Sequence, residues 1–510
     1  MIKPLQLIFL LIILPLSTIA QKTTDLNQLD GKTISISPKD TLHYHLSMRK
    51  NQFAFMRFEQ NGTDIVVHIK DPNGRLLMEF DAGNGAHGPE LVQIVPSKDG
   101  NYLLDVFMYE GQKKSGRFQF KLEKIVEKGE GYAEQLDQFI GYWGEKGFIP
   151  GFSVSVFTKD KVLFQEGYGY ANLKTKKPYT TATIQNIGSV SKTLIGISLM
   201  MAVRDGKLSL DDPINQYLPY PVINPYFPDK AITIRQLANH TSSIAEMDAY
   251  EMSYILKEPF TFQKGEISKG EFKEMRYYNK NKWRSMPDFM EALFSTEGDL
   301  YKKKNFLKQA PGAKYAYSNA GATLAAHIIE RVYKMPYDQF TQKYILDALQ
   351  MKDSGWSWDN IDTTKHSNLH FYNHKVIPRY TLITYPDGGL LTNNVDLTRY
   401  AQSQMKGFAG ESALLSPAAY QEMMAPSLSE SQQERKNRNY GVFWAHTGSN
   451  IGHNGGDPGI VVYMRFNPEE EVGFLFMMNM IPNTPMAMQT FQNVWGILND
   501  FGRALAKQKN

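Results

Sequence analysis

The stretch Gly188–Val203 reads GSVSKTLIGISLMMAV and places a Ser-x-x-Lys pair, Ser189 and Lys192, at the start of a strongly apolar run. A helix that is apolar on every side must be covered by protein, so the run predicts a buried helix with Ser189 in its first turn. Residues three apart share one helix face, which brings the Lys192 side chain close to the Ser189 hydroxyl.

This pair indicates nucleophilic catalysis. A serine hydroxyl is a weak nucleophile until a base takes its proton, and desolvation against an apolar core is expected to lower the pKa of Lys192 towards that role. The N-terminal end of a helix also favours an oxyanion. The alternative is an N-cap serine beside a lysine whose ammonium extends to solvent, and the pair alone does not decide between them.

Composition limits the possible functions. The chain has 510 residues, no cysteine and a formal net charge of +4. This length suits two or three domains, and the absence of cysteine excludes disulfides, thiolate metal sites and a cysteine nucleophile. The net charge is too small for this length to indicate a nucleic-acid partner.

The first twenty residues have the pattern of a secretory signal peptide. Lys3 precedes the apolar run Leu7–Leu16, and the small residues of Ser17–Ala20 follow it. Ten apolar residues are too few to cross a bilayer. We therefore predict export to the periplasm or the cell exterior, a mature chain that begins near Gln21, and no later membrane span. An uncleaved membrane anchor is the alternative.

Residues 21–125 show the period-two alternation of strands. Apolar and polar residues alternate within Leu42–Met48, Ile65–Ile69, Tyr102–Met108 and Phe118–Leu122, and turn sequences such as DPNG at 71–74 separate these segments. The pattern predicts a small antiparallel β-sandwich. It loosely resembles accessory domains of secreted bacterial peptidases. Binding to carbohydrate, protein or cell wall and a simple spacer role both stay open.

Residues 126–510 are predicted to form a second, larger domain. A polar linker over Val126–Glu134 runs into a predicted helix at Ala133–Gly144, and strands are predicted at Phe152–Phe157 and Val162–Tyr170. The chain ends in a predicted helix, Met486–Ala506, which we expect to pack against the sheet.

The segments Ile187–Leu218 and Ile232–Ser243 resemble the serine β-lactamase and penicillin-binding-protein superfamily, and within it the class C β-lactamase-related hydrolases. That group includes esterases, D-aminopeptidases and carboxypeptidases. The resemblance covers about Gln135–Phe501. It implies an α+β, β-lactamase/transpeptidase-like fold, in which helices flank an antiparallel sheet beside an all-helical lobe. It also implies an architectural role for His240.

A second motif lies in residues 311–321, PGAKYAYSNAG, where Tyr317 and Asn319 match the family's Tyr-x-Asn element ahead of a predicted helix. A phenolate accepts a proton only if a cation holds its pKa down, and Lys192 is that cation. Asn319 offers a donor and an acceptor to Lys192 and a substrate carbonyl. A helix-capping Ser-Asn with a packed tyrosine is the alternative.

The third motif is His453-Asn454-Gly455, where many family members carry Lys-Thr-Gly on a strand that borders the active site. Gly455 and Gly456 allow a substrate to approach the backbone, and the N–H groups of Gly456 and Ser189 are expected to form an oxyanion hole. A histidine partly charged near neutral pH replaces a permanent cation. This departure weakens a β-lactamase assignment and favours an esterase or peptidase. A packed histidine without a substrate role is the alternative.

Two further segments are candidates for shaping the site. The insertion from Lys264 to Arg284 is rich in cations and aromatics, and we hypothesise a lid that favours anionic or wall-derived ligands, against a solvated helical face. His366, His370 and His374 are spaced by four. Few carboxylates lie near them and the family mechanism needs no metal, so neither a metal nor a cofactor is predicted.

Three functions remain open. The leading one is a secreted serine hydrolase in which Ser189 attacks an ester or peptide, while Lys192 and Tyr317, as a coupled pair, relay its proton. Tyr317 then helps water to cleave the acyl-enzyme. The second is a β-lactamase or D,D-carboxypeptidase, and the third is a non-catalytic binding protein with the same fold. The substrate and the oligomeric state stay open.

Overall fold

The computed structural model describes residues 23–411 and 414–508. The predicted signal peptide, residues 1–20, lies outside the described residues. The chain divides into two compact units, one ending at Lys128 and one beginning at Gly129. This division falls three residues after the predicted boundary.

The first unit is a β-sandwich. Its sheets have the strand orders β1-β3-β8-β5-β6 and β2-β9-β4-β7, and buried side chains of both sheets form one core. The strands are β1 (Thr24–Asp25), β2 (Thr33–Ile36), β3 (Thr41–Met48), β4 (Gln52–Asn61), β5 (Ile65–Lys70), β6 (Leu76–Phe80), β7 (His87–Ile94), β8 (Gly100–Met108) and β9 (Gly116–Glu127).

Alternation predicted β3, β5, β8 and β9 but not the long strand β4. Residues Phe53–Met56 of β4 are buried in succession, so side chains on both faces of this strand are removed from solvent and no alternation appears in the sequence. Strand β9 also continues to Glu127, which pairs with Gln52. The start of the predicted linker at Val126 is therefore strand.

The second unit is built on an eight-stranded sheet of order β12-β11-β10-β21-β20-β19-β18-β17. Two short ladders, β13 with β16 and β14 with β15, lie outside it. The strands are β10 (Gly151–Phe157), β11 (Val162–Asn172), β12 (Lys177–Pro178), β13 (Gln185–Asn186), β14 (Tyr254–Leu256), β15 (Tyr380–Leu382), β16 (Leu391–Thr392), β17 (Arg438–Tyr440), β18 (Ala445–Thr447), β19 (Asn450–Asp457), β20 (Ile460–Asn467) and β21 (Val472–Met478).

Helices cover this sheet and form the rest of the unit. They are α1 (Tyr132–Glu145), α2 (Lys192–Arg204), α3 (Ile234–Ala238), α4 (Lys269–Tyr278), α5 (Met286–Phe294), α6 (Asn319–Tyr333), α7 (Tyr337–Thr341), α8 (Tyr385–Gly388), α9 (Asn394–Phe408), α10 (Pro417–Met424) and α11 (Pro485–Lys507). As predicted, the terminal helix α11 packs against the sheet, where Phe491 and Trp495 contact Tyr463 and Phe476.

Helix α2 is the buried helix that the apolar run predicts. Every residue from Lys192 to Ala202 is buried, and its apolar side chains belong to the main core of the unit. A 3-10 turn, Gly188–Ser191, leads directly into it. The core thus fixes the direction of α2 and, with it, the position of Ser189.

Candidate active site

Ser189 lies in the turn that opens α2, directly against strand β19. Gly188 has a φ of +53°, and a Cβ atom there would lie 2.8 Å from the backbone nitrogen of Gly456. A Cβ atom at Gly455 would collide with the carbonyl oxygen of Ile187 and lie 3.2 Å from the nitrogen of Ser189. Only glycine permits this approach, which brings the backbone of Gly455 and Gly456 beside Ser189.

Lys192 is fully buried and donates three hydrogen bonds. Its Nζ lies 3.0 Å from Ser189 Oγ, 2.6 Å from Asn319 Oδ1 and 2.6 Å from the backbone carbonyl oxygen of Asp387. The structure therefore brings Asn319, which is distant in the sequence, to the neighbouring pair of Ser189 and Lys192.

Tyr317 completes the group around the serine. Its hydroxyl lies 2.7 Å from Ser189 Oγ, and the ammonium of Lys192 lies 5.3 Å from the centre of its ring. The other side of the ring packs on His240, with 4.4 Å between ring centres. His240 Nδ1 accepts a hydrogen bond from the backbone N–H of Ser318, at 3.3 Å. These contacts hold the segment that carries Tyr317.

The protonation states of Lys192 and Tyr317 differ from the lowered lysine pKa and the phenolate expected from the sequence. Burial alone would lower the pKa of Lys192, but the charge that Tyr317 takes on when deprotonated and the charge of Asp387 outweigh it, so this pKa is raised. Burial raises the pKa of Tyr317, and the nearby ammonium of Lys192 only partly offsets this effect. The resting site therefore holds an ammonium and a neutral phenol, rather than a neutral amine or a phenolate.

Two acidic residues support the group and were not predicted as site residues. Asp387, which is buried, gives its backbone oxygen to Lys192, and its carboxylate accepts hydrogen bonds from Tyr250 (2.8 Å) and Thr323 (2.7 Å). Glu246 accepts from the backbone and side-chain nitrogens of Asn319, at 3.0 and 3.1 Å. The DGG sequence at 387–389 is a local signal for the first, whereas nothing around Glu246 marks it.

His453 is buried beside the serine and neutral, which corrects the expectation of a partial charge. Burial, with a contribution from the charge of Lys192, lowers the pKa of His453 to about 3. Its Nδ1 lies 2.7 Å from the carbonyl oxygen of Asn454, so the proton is assigned to Nδ1. Its Nε2 has no partner among the described residues and is left as a hydrogen-bond acceptor.

A cavity of about 390 Å³ opens over Ser189. Its lining includes Ser189, Tyr315, Tyr317, Arg438, His453 and Arg465. Arg465 donates to Asn454 Oδ1 at 3.0 and 3.2 Å, and among the described residues it forms no ion pair. Arg438 reaches the carboxylate of Glu434 only at 4.0 Å. Sequence reasoning missed both arginines, because no motif includes them.

The predicted lid does not border this cavity. None of the described residues from Lys264 to Arg284 lines it. The three histidines at 366, 370 and 374 have separate surroundings: the first packs on Trp358, the second faces Asn479 and the third faces Phe148. Over residues 23–411 and 414–508, no group of three or more His, Asp or Glu side chains is placed to hold a metal ion.

None of the helices in the described part of the chain has the length and hydropathy needed to cross a membrane.

Sequence comparison places the second unit in a known family. The family model described as Beta-lactamase matches residues 136–496. Protein flp of Staphylococcus aureus strain MW2 is 24% identical over 357 residues, which are 68% of this chain and 63% of that protein. The human mitochondrial serine beta-lactamase-like protein LACTB is 27% identical over 297 residues, 51% of this chain and 54% of that protein. The chain thus spans less than two thirds of these curated relatives.

Solved structures show the same fold. The octameric penicillin-binding protein homologue from Pyrococcus abyssi has a TM-score of 0.56 and 23% identity, over 71% of this chain and 77% of that chain. The penicillin-binding protein from Bacillus halodurans has a TM-score of 0.51 and 19% identity, over 69% and 98%. The predicted fold and superfamily are confirmed. The chain belongs to the beta-lactamase family, whose members are serine hydrolases of the β-lactamase and penicillin-binding-protein type.

Proposed function

We propose that this chain hydrolyses an ester or peptide through a covalent acyl intermediate on Ser189. One observation carries the proposal: Ser189 Oγ lies 3.0 Å from Lys192 Nζ and 2.7 Å from the hydroxyl of Tyr317, at the floor of an open cavity. A nucleophile within hydrogen-bond reach of its proton acceptors is the arrangement that acyl transfer requires.

In this mechanism Ser189 attacks the substrate carbonyl, and its proton passes to the coupled pair of Lys192 and Tyr317. The carbonyl oxygen becomes an oxyanion, which the backbone N–H groups of Ser189 and Gly456 stabilise. The leaving group takes a proton from the pair as the tetrahedral intermediate collapses to the acyl-serine. Tyr317 then accepts a proton from water as that water attacks the acyl-serine, and the pair returns this proton to Ser189 Oγ when the second tetrahedral intermediate breaks its bond to Oγ and releases the acid product.

The resting protonation state has a consequence for this mechanism. An ammonium at Lys192 and a neutral phenol at Tyr317 leave no free base, so one proton must leave the pair before the proton of Ser189 is accepted. Asp387 and Glu246 act on this step indirectly, since they hold Lys192 and Asn319 in place.

The cavity favours a substrate with a negative group near the scissile bond. Arg438 and Arg465 supply the positive charge, while neutral His453 supplies none. A substrate with a carboxylate therefore complements the lining. These arginines also favour a second candidate, a β-lactamase or D,D-carboxypeptidase, because they replace the cation that the His453 motif lacks.

Three probes of the purified protein test these alternatives. Labelling by a fluorescent fluorophosphonate alone supports an esterase or peptidase. Labelling by a fluorescent penicillin and turnover of nitrocefin as well support the second candidate. Absence of all three reactions, in a protein that is folded by circular dichroism, supports a non-catalytic binding protein and overturns the proposal.

Export is a separate part of the proposal. The charged, apolar and small-residue regions of residues 1–20 support it, and they place the hydrolase in the periplasm or outside the cell. N-terminal sequencing of the protein from the culture medium and periplasm tests this point, and a chain recovered only from the cytoplasm contradicts it.

A further inference from the structure

A second and larger cavity lies on the face of helix α4, away from the serine. Its volume is about 1020 Å³, and it shares no lining residue with the catalytic cavity. Helix α4 and the segment just before it provide most of the lining, and Asp248, Glu251 and Lys280 complete it.

The cations that line this cavity are unpaired. They are Lys264, Lys269, Lys273, Arg276 and Lys280. None of them lies within ion-pair distance of a carboxylate among the described residues, although Arg276 packs over the ring of Phe272 at 5.8 Å. Five cationic side chains thus line one cavity without an ion-pair partner of their own.

The carboxylates in the same lining are already engaged. The hydroxyl of Tyr278 lies 2.6 Å from the carboxylate of Glu251 and 2.8 Å from that of Glu274, and its single proton is shared between them. Asp248 pairs with Lys304 at 2.9 Å. The five lining cations outnumber these three acids, none of which forms an ion pair with them, so the lining keeps a net positive charge for a ligand.

The position of Lys269 argues that these cations do not serve the helix itself. Lys269 is the first residue of α4, where the helix dipole is positive and a cation is unfavourable. The capping box of Ser268 and Glu271 already satisfies that end of the helix. A lysine there costs helix stability, which indicates a function outside α4.

The same cavity also has an apolar part. Ile267 and Tyr278 are almost fully buried in its lining, and Phe272 is half-buried. Tyr277 lines it with 42% of its surface exposed, and Trp283, five residues beyond the end of α4, is 60% exposed. A site for a small anion needs no such apolar surface, and a site for a neutral lipid needs no such cations.

We propose that the α4 cavity binds a single anionic amphiphile, a molecule with a phosphate or carboxylate head and an apolar chain. The head lies among the cations at the rim, and the chain lies against Ile267, Phe272 and the two tyrosines. This inference is independent of the proposed hydrolysis, since it concerns a different cavity and involves no bond breaking.

Calorimetric titration with monomeric dodecyl phosphate, kept below its micellar concentration, tests the proposal. We expect saturable binding at one site, with inorganic phosphate and neutral dodecyl maltoside each binding at least about tenfold more weakly. Ser189→Ala should bind dodecyl phosphate as the parent does, because the catalytic cavity is not involved. Equal binding of inorganic phosphate or of the maltoside would contradict the amphiphile assignment.

A matched pair of variants locates the site. Lys269→Gln with Lys273→Gln removes two lining cations, and Lys174→Gln with Lys352→Gln removes two exposed lysines elsewhere in the same unit. The first pair should weaken dodecyl phosphate binding about tenfold, and the second should leave it unchanged. Equal affinities of the two double variants would overturn the proposal. So would binding to anionic phospholipid vesicles with none to the monomer, which indicates membrane docking.

Discussion

The hydroxyl of Tyr254 donates a hydrogen bond to the carboxylate of Asp457, the residue that follows Gly456 on β19. The ring of Tyr254 in turn stacks on Tyr278 of α4, with 4.5 Å between ring centres. The basic insertion does not border the catalytic cavity, yet Tyr254 links it to the end of the strand that carries the proposed oxyanion N–H. Asp457 is partly buried, and burial raises its pKa to about 7.

Tyr254→Phe should lower kcat about tenfold and leave KM nearly unchanged. The loss of the hydrogen bond frees the end of β19, and a displaced Gly456 N–H stabilises the transition state less than before. Steady-state kinetics on an activated ester measure this effect. Tyr217→Phe removes a similar bond, to Asp212, in a turn outside the site, and serves as the control. Identical kinetics of the two variants would refute this role.

Ser189→Ala should reduce hydrolysis of a p-nitrophenyl ester at least about a thousandfold, because no acyl-enzyme forms without the nucleophile. Intact mass spectrometry should show no adduct with a fluorophosphonate. Ser198→Ala, which removes a buried hydroxyl from the same helix, should retain labelling. Activity of the Ser189 variant at the parent rate would exclude the assigned nucleophile.

Activity should rise with pH through the neutral range. Burial raises the pKa of Tyr317, and the surrounding charges raise the pKa of Lys192, so the form with one proton removed is a minor species at neutral pH. Its population, and with it kcat/KM, increases about tenfold per pH unit until the first proton of the pair is lost. Stopped-flow acylation rates test this. Rates that fall as the pH rises from about 6 to 9 would contradict it.

The effect of Arg465→Gln on activity should depend on the charge of the substrate. We expect kcat/KM to fall about tenfold for a p-nitrophenyl ester whose acyl chain ends in a carboxylate, and to stay unchanged for the matching neutral ester. Arg503→Gln, which removes a cation paired with Glu470, is the control. An equal loss on both esters would show that Arg465 acts on the structure of the site and not on substrate charge.

The first unit should lose stability as the pH rises. Burial raises the pKa of Glu90 from its ordinary value of 4.5 to about 8. A raised pKa means that the folded unit holds the proton more tightly. The stabilisation from Glu90 is thus complete below about pH 4.5 and is lost as the pH rises through about 8, on the order of 5 kcal/mol in total. Hydrogen exchange of β4 and β7 in the full chain measures this, and Glu90→Gln should remove most of the pH dependence.

The residues that the sequence predicted correctly as neighbours belong to short local patterns. Ser189 and Lys192 are three residues apart at the start of an apolar helix, and Tyr317 and Asn319 lie at the start of another. Arg465 and Glu246 carry no such pattern, because only the fold brings Arg465 to the cavity and Glu246 to Asn319. The charge of His453 was predicted wrongly for a related reason: a sequence does not show how completely a polar ring is buried.

The same limit applies to the fold. Strand β3 shows alternation since one of its faces is covered, whereas Phe53–Met56 of β4 are buried in succession and read as an unpatterned apolar run. The insertion was predicted correctly to be rich in cations. That its Tyr278 stacks on Tyr254, whose hydroxyl bonds Asp457 at the end of β19, could not be predicted, because these contacts depend on how distant segments fold together.

An ammonium has only three hydrogens to give, and those of Lys192 are already directed to Ser189, Asn319 and the carbonyl of Asp387. A covalent inhibitor that places an acidic substituent near this ammonium would have to displace one of these protein acceptors. Inhibitor design against this protein should instead direct the acidic substituent towards the guanidinium of Arg465, which lines the cavity.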